Sequence, residues 1–197
     1  METVLAIVVG VCLSAACGFR VFVPLLVISV AAKAGFLELA EGWSWLADWP
    51  ALIAFFVATV AEVAAFYVPW LDNLLDTIAS PAAVVAGIVV MAACVTEMNP
   101  FLRWSLAIIA GGGAAGFTQG LSVLVRGTST ATTGGFGNFV VSSVELILSA
   151  ILSVLAVVAP FVGVTMLVVV AIVGFRIYRR RQAQQARMAA KAKMKAC

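Results

Sequence analysis

Arg20 lies inside an apolar run that reaches from Thr3 to Ala32, and that placement constrains the fold more than any other feature of the chain. A charge near a bilayer centre costs on the order of 3 kcal/mol on insertion scales. Glu62 and Glu145 also fall within apolar runs, and Asp72 and Asp76 lie between two of them. Such residues face a bundle interior or a water-filled path rather than lipid. They are therefore the first candidates for function.

The remaining residues identify the medium. Of the 197 residues, 64% are hydrophobic and 11% charged, against roughly 45–50% and about 25% in a soluble domain. The fold class expected is an all-α integral membrane protein. A β-barrel would alternate in segments of about ten residues, whereas the apolar runs here are continuous. Six runs can be drawn, over 3–32, 51–68, 81–96, 101–126, 138–159 and 161–178. Set against the roughly 20 residues that span a bilayer, they predict about six transmembrane helices. The first run would reach roughly 45 Å as one helix, too long for a ~30 Å hydrocarbon core. It must tilt, protrude or break, and Gly18 and Pro24, which flank Arg20, are its candidate break points. Pro160–Gly163 marks a turn between the last two runs.

Charge divides the chain into a single transmembrane helical domain over residues 1–178 and a basic tail over 179–197. Residues 1–175 carry four basic and nine acidic side chains, whereas 176–197 carry eight basic and none acidic. The positive-inside rule puts the tail in the cytoplasm, where anionic lipid headgroups are its expected partners. The tail lacks aromatic interleaving and a folded context, so nucleic acid is not an expected partner. Six spans and a cytoplasmic tail place both termini inside and the 33–50 segment outside. Trp43, Trp45 and Trp49 in that segment, with Trp104, then share one interface.

Two connections carry unusual chemistry and are expected as polar, broken or re-entrant segments. The first, 67–81, alternates Asp72 and Asp76 with Leu and Ile and closes on Ser80-Pro81. That pair reads as a helix start, with Ser as N-cap and Pro in the first turn. Asp72 and Asp76, four apart, share a face if helical and can bind a cation or share a proton, with Thr77 and Ser80 as further oxygens. The second, Arg126–Asn138, holds four glycines and the hydroxyls of Thr130, Thr132 and Thr133. It can present backbone N–H groups to an anion, yet matches neither a P-loop nor a dinucleotide fingerprint. Gly112, Gly116 and Gly120, spaced by four, form a small-residue stripe for close helix packing. Gly18-Phe19 repeats as Gly116-Phe117 at an offset of 98 residues. Halves 1–98 and 99–178 would then form two inverted three-helix repeats, a transporter arrangement.

Four cysteines, Cys12, Cys17, Cys94 and Cys197, have no C-x-x-C spacing, and the chain has no His. No metal site or cofactor is expected from this set. No nucleophile–base pair stands out either, so an enzyme is not expected.

Four phrases carry a family resemblance: Ser14–Pro24 (SAACGFRVFVP), Asp72–Pro81 (DNLLDTIASP), Leu102–Gly113 (LRWSLAIIAGGG) and Ser129–Asn138 (STATTGGFGN). Together they resemble the bacterial membrane family catalogued as domain of unknown function 4126, across nearly all of the chain but the tail. The resemblance implies a multi-pass protein of the bacterial inner (plasma) membrane and brings no established activity or substrate.

The sequence thus predicts a buried polar site built from Arg20, Glu62, Asp72, Asp76, Thr77, Ser80, Thr130, Thr132, Thr133, Asn138 and Glu145. Its expected role is translocation of a small ion, solute or lipid headgroup, in a lipid bilayer and with homo-oligomerisation open. The alternative is a non-transporting scaffold or assembly factor whose buried charges fix helix packing.

Overall fold

The opening apolar run forms two helices rather than one. The computed structural model describes the backbone of residues 2–65, 69–134, 137–176 and 179, with side chains from residue 3 onward except 69–77. Helix α1 (Glu2–Cys17) ends at Gly18, and α2 (Phe22–Lys33) starts four residues later. A short 3-10 turn, Ser44–Ala47, precedes α3 (Trp49–Ala65). Helix α4 covers Pro69–Cys94. Helix α5 (Pro100–Thr133) is continuous through a π-helical stretch, Ala107–Gly112. Helices α6 (Asn138–Val158) and α7 (Pro160–Arg176) close the described chain.

Three sequence expectations are corrected here. Six transmembrane helices do not form: among the described residues two, Pro100–Thr133 and Asn138–Val158, are long and apolar enough to cross a membrane. Helices α1, α2, α3 and α7, and the apolar stretch Ile78–Cys94 of α4, fall in the range of 10–17 residues, short of the roughly 20 that a span takes. An apolar run overstates helix length wherever a break interrupts it, as Gly18–Val21 does. Among the described residues the two polar connections are also largely helical rather than broken. Pro81 sits inside α4 rather than at a helix start, and α5 stays helical through Arg126 to Thr133. Thr128, Thr132 and Thr133 donate their hydroxyls to carbonyls four residues back, at 2.5, 2.9 and 2.7 Å, so their polarity is absorbed by the helix itself. Finally, the inverted repeat does not appear in the helices. Gly18 lies in the α1–α2 break, whereas its counterpart Gly116 lies within unbroken α5.

Helix α1 is the hub, with α4, α5 and α6 packed around it, while α2 lies against α3 and α6. Cys12, Leu13, Ala15, Ala16 and Cys17 are fully enclosed. Small side chains at this spacing let neighbouring backbones approach closely. One such approach joins α4 to α5: a Cβ on Gly87 would lie 2.6 Å from Ala115 Cβ, and one on Gly111 would lie 2.6 Å from the Gly87 carbonyl. Gly111 belongs to the π-helical stretch, whose extra residue per turn re-aims one side of a helix. Of the glycine stripe, Gly112 sits against Ile88 and Gly116 in ordinary contact with Val84, whereas Gly120 has open space.

Helix ends have local causes. The Asn99 side chain accepts from Leu102 N at 2.8 Å, and Pro100 opens α5. Gly134, at φ +64°, ends the same helix in the left-handed region that glycine adopts without strain. Ala159 separates α6 from α7. The hairpin made there sets α7 antiparallel to α6, so its last turn lies level with the first turns of α6.

Large apolar side chains cover the outside. Ile53, Phe56, Val57 and Val60 on α3, and Val140, Val144, Ile147 and Ile151 on α6, are all exposed. Continuous apolar faces of this kind mark membrane or protein contact, and with two span-length helices they describe a membrane-associated helical protein.

Candidate functional site

The break between α1 and α2 closes its own turn, with Gly18 N bonded to the Ala15 carbonyl and Phe19 N and Arg20 N to that of Ala16, and side chains from other helices add to it. Thr118 of α5 donates to the Ala15 carbonyl at 2.7 Å, and Ser149 of α6 donates to the Ala16 carbonyl at 3.0 Å. On the other side of the break, Val21 N and Phe22 N donate to the two carboxylate oxygens of Glu62, at 3.0 and 3.2 Å. Glu62 thus caps α2 from α3, a carboxylate at the positive end of a helix. Gly18 is needed in the break because a Cβ there would run into Thr118 Oγ1 and the Ala115 carbonyl.

Arg20 projects from this break toward α6. Its Nη2 donates to the Ser142 carbonyl at 3.0 Å and reaches Glu145 Oε2 at 3.5 Å. Glu145 receives a second guanidinium from α5: Arg126 Nε lies 3.3 and 3.1 Å from its two oxygens, and Arg126 Nη2 also bonds Oε2. The Ser122 hydroxyl, one turn before Arg126, donates to Glu145 Oε1. Arg20 and Glu145 are each 4% exposed and Arg126 7%. Among the described residues the buried charged side chains are Arg20, Glu62, Arg126 and Glu145, two of each sign.

A cavity of about 420 Å³ lies beside this cluster, between α5, α6 and α7. Ser122, Glu145 and Phe19 line its inner wall, and Val125, Val144 and Val173 are among the residues of its sides. Its volume falls in the range of roughly 300–1,000 Å³ typical of ligand pockets.

The sequence-predicted residues divide between this cluster and other places. Arg20 and Glu145 meet directly, and Glu62 flanks Arg20 through the α2 cap. Ser80 accepts from Gln119 Nε2 at 3.3 Å. Asn138 Nδ2 donates to Thr130 Oγ1 at 3.0 Å, and Gly137 N donates to Thr133 Oγ1 at 2.9 Å. Together with Thr132, bonded within α5, these residues hold the α5–α6 turn rather than the charge cluster. Gln119 and Thr130 lie eleven residues apart on α5, about 16 Å along the axis, so Ser80 and Asn138 do not share one site. The side chains of Asp72, Asp76 and Thr77, and residues 180–197 of the tail, lie outside the described residues.

Arg126 and Ser122 belong to the cluster and were absent from the predicted site. A signal was present: Thr118, Ser122 and Arg126 recur every four residues along one helical face. Ser142, Glu145, Ser149 and Ser153 form the facing buried stripe on α6. Among the described residues no three His, Cys, Asp or Glu gather to hold a metal.

Residues 7–180 match the family described as domain of unknown function (DUF4126), and the chain belongs to it. No curated protein and no solved structure matches the chain.

Proposed function

We propose that this protein moves a small ion, solute or lipid headgroup across a membrane, with the Arg20–Glu145–Arg126 cluster as its charged centre. One observation carries the reading: Glu145, paired with two guanidiniums and almost fully enclosed, also forms part of the wall of the α5–α6–α7 cavity. A buried charge centre therefore lies one side chain deep from a ligand-sized space. The roles are binding and exchange of ionic partners, without covalent chemistry.

We further place the protein in the bacterial inner membrane with its tail in the cytoplasm. The eight basic residues from Arg176 onward support that sign. The tryptophans support the opposite face for the other end. Trp43 lies 6.3 Å from Trp45 and 6.5 Å from Trp104, and Lys33 Nζ stacks 4.3 Å from the Trp49 ring. These rings gather at the start of α5, away from the end where α7 leads into the tail.

A scaffold is the second reading, favoured by a specific feature: each of these charged side chains ties one helix to another. Glu145→Gln separates the two. In the transport reading the variant stays folded in detergent and loses flux in liposomes loaded with candidate ions or labelled lipid. In the scaffold reading it strands two buried arginines, which destabilises the fold by about 3–5 kcal/mol, and the wild-type protein carries no flux. Unchanged flux in Glu145→Gln would remove the cluster from any transport mechanism.

A further inference from the structure

The α5–α6–α7 cavity has walls of Phe19, Val125, Val144, Leu148, Val170 and Val173. Such walls suit a hydrocarbon chain far better than a hydrated ion. Val144 and Val173 are themselves 49% exposed, so the cavity opens outward as a groove rather than closing as a void. Its polar members, Ser122 and Glu145, are bonded to each other, and Glu145 is covered by Arg126. A chain lying in the groove therefore meets an already paired floor and leaves no polar group stranded.

Cationic charge lies just past the groove. Arg176 is three residues after Val173, on the same face of α7 and one turn beyond the groove wall. It is exposed and has no hydrogen bond or ion pair among the described residues. Arg179 is three residues further along the chain, its guanidinium 5.9 Å from the centre of the Phe175 ring. Six more basic residues and no acidic one follow in the chain. An apolar slot that ends in cations fits a molecule with an apolar chain and an anionic head.

We propose that this groove binds an anionic phospholipid, with one acyl chain between α6 and α7 and the phosphate at Arg176 and Arg179. The assignment deepens the transport reading by naming a substrate class, and as a substrate assignment it rests on that reading.

The test uses the full chain in a non-ionic detergent, with lipid retention by native mass spectrometry and the thermal midpoint as readouts. The probes are palmitoyl-oleoyl phosphatidylglycerol, phosphatidylcholine with the same chains, and a short-chain phosphatidylglycerol. Long-chain phosphatidylglycerol is expected to be retained and to raise the midpoint, and the other two to do so weakly. Arg176→Ala and Arg179→Ala should each weaken phosphatidylglycerol about fivefold, from roughly 1 kcal/mol per basic residue at an anionic surface. Val144→Phe, which plugs the groove, should abolish retention while leaving the lipid-free midpoint unchanged; Val173→Phe plugs it from the opposite wall if the first variant does not fold. Equal retention of the two long-chain lipids would overturn the head assignment. Selective retention that survives both plugs would place the lipid on the tail alone and overturn the groove. Selective retention without flux in the liposome assay refutes transport and upholds the lipid site, whereas ion flux without selective retention overturns the lipid site and upholds transport.

Discussion

Glu62 offers the most direct check on how the α1–α2 break is held. Its two carboxylate oxygens accept from Val21 N and Phe22 N, so Glu62→Ala leaves both donors without their partner. An orphaned buried donor costs about 1–3 kcal/mol. Val21 is buried and belongs toward the upper part of that range, whereas Phe22 is partly exposed and belongs at the lower end. The sum is about 3 kcal/mol, which in a chain of this size lowers a thermal midpoint by about 6–12 °C. Glu62→Gln keeps one acceptor oxygen and turns an amide NH2 toward the other donor, so its loss should be about half as large. Thermal unfolding of the three proteins in one detergent, followed by tryptophan fluorescence, gives the order wild type, Glu62→Gln, Glu62→Ala. A Glu62→Ala midpoint within about 2 °C of wild type, under 1 kcal/mol on that scale, would refute the capping role.

Two glycines on facing sides of the same argument should behave oppositely. Gly18→Ala drives a Cβ into Thr118 and the Ala115 carbonyl and should destabilise by about 1–3 kcal/mol in the same melt. Gly120→Ala meets nothing within 4 Å and should be neutral or stabilising by up to about 1 kcal/mol. For topology, a cysteine at exposed Glu41 should react with an impermeant thiol reagent added outside intact cells, and one at position 185 only after the membrane is opened, with Cys197 first replaced; the reverse pattern would invert the orientation.

What could be read from the residues followed the physics that is local. A break was legible as one way to fit an apolar run too long for a bilayer, with Gly18 and Pro24 as its candidates; the chain breaks at Gly18, and Pro24 lies in the first turn of α2. That Arg20 shares a buried site with a carboxylate was legible, because a buried guanidinium needs one; that it takes Glu145 rather than Glu62 was not. Arg126 was not, because the glycine and threonine residues after it read as a loop, whereas their hydroxyls bond back to the helix and let it run on to Thr133. Pro81 misled in the same way: a proline at a helix start and one inside a helix look alike in sequence, and here α4 continues through it. The role of Glu62 depends on two backbone donors 41 and 40 residues away, a relation that no spacing rule reaches. Six spans were expected because apolar length was taken for helix length.

The bonds that close the α1–α2 break also impose an order on biosynthesis. The Ala15 carbonyl, already bonded to Gly18 N, gains Thr118 from 103 residues later, and the Ala16 carbonyl, already bonded to Phe19 N and Arg20 N, gains Ser149 from 133 residues later. At a synthesis rate of about 5–20 residues per second, the second partner follows about 7–27 s behind. During that interval the growing N-terminal helices carry the donors Val21 N and Phe22 N until Glu62 arrives, and the charged Arg20 until Glu145 does. Arg20 must be sheltered from bulk lipid until α6 emerges, so a joint in the first helices is completed only by one of the last.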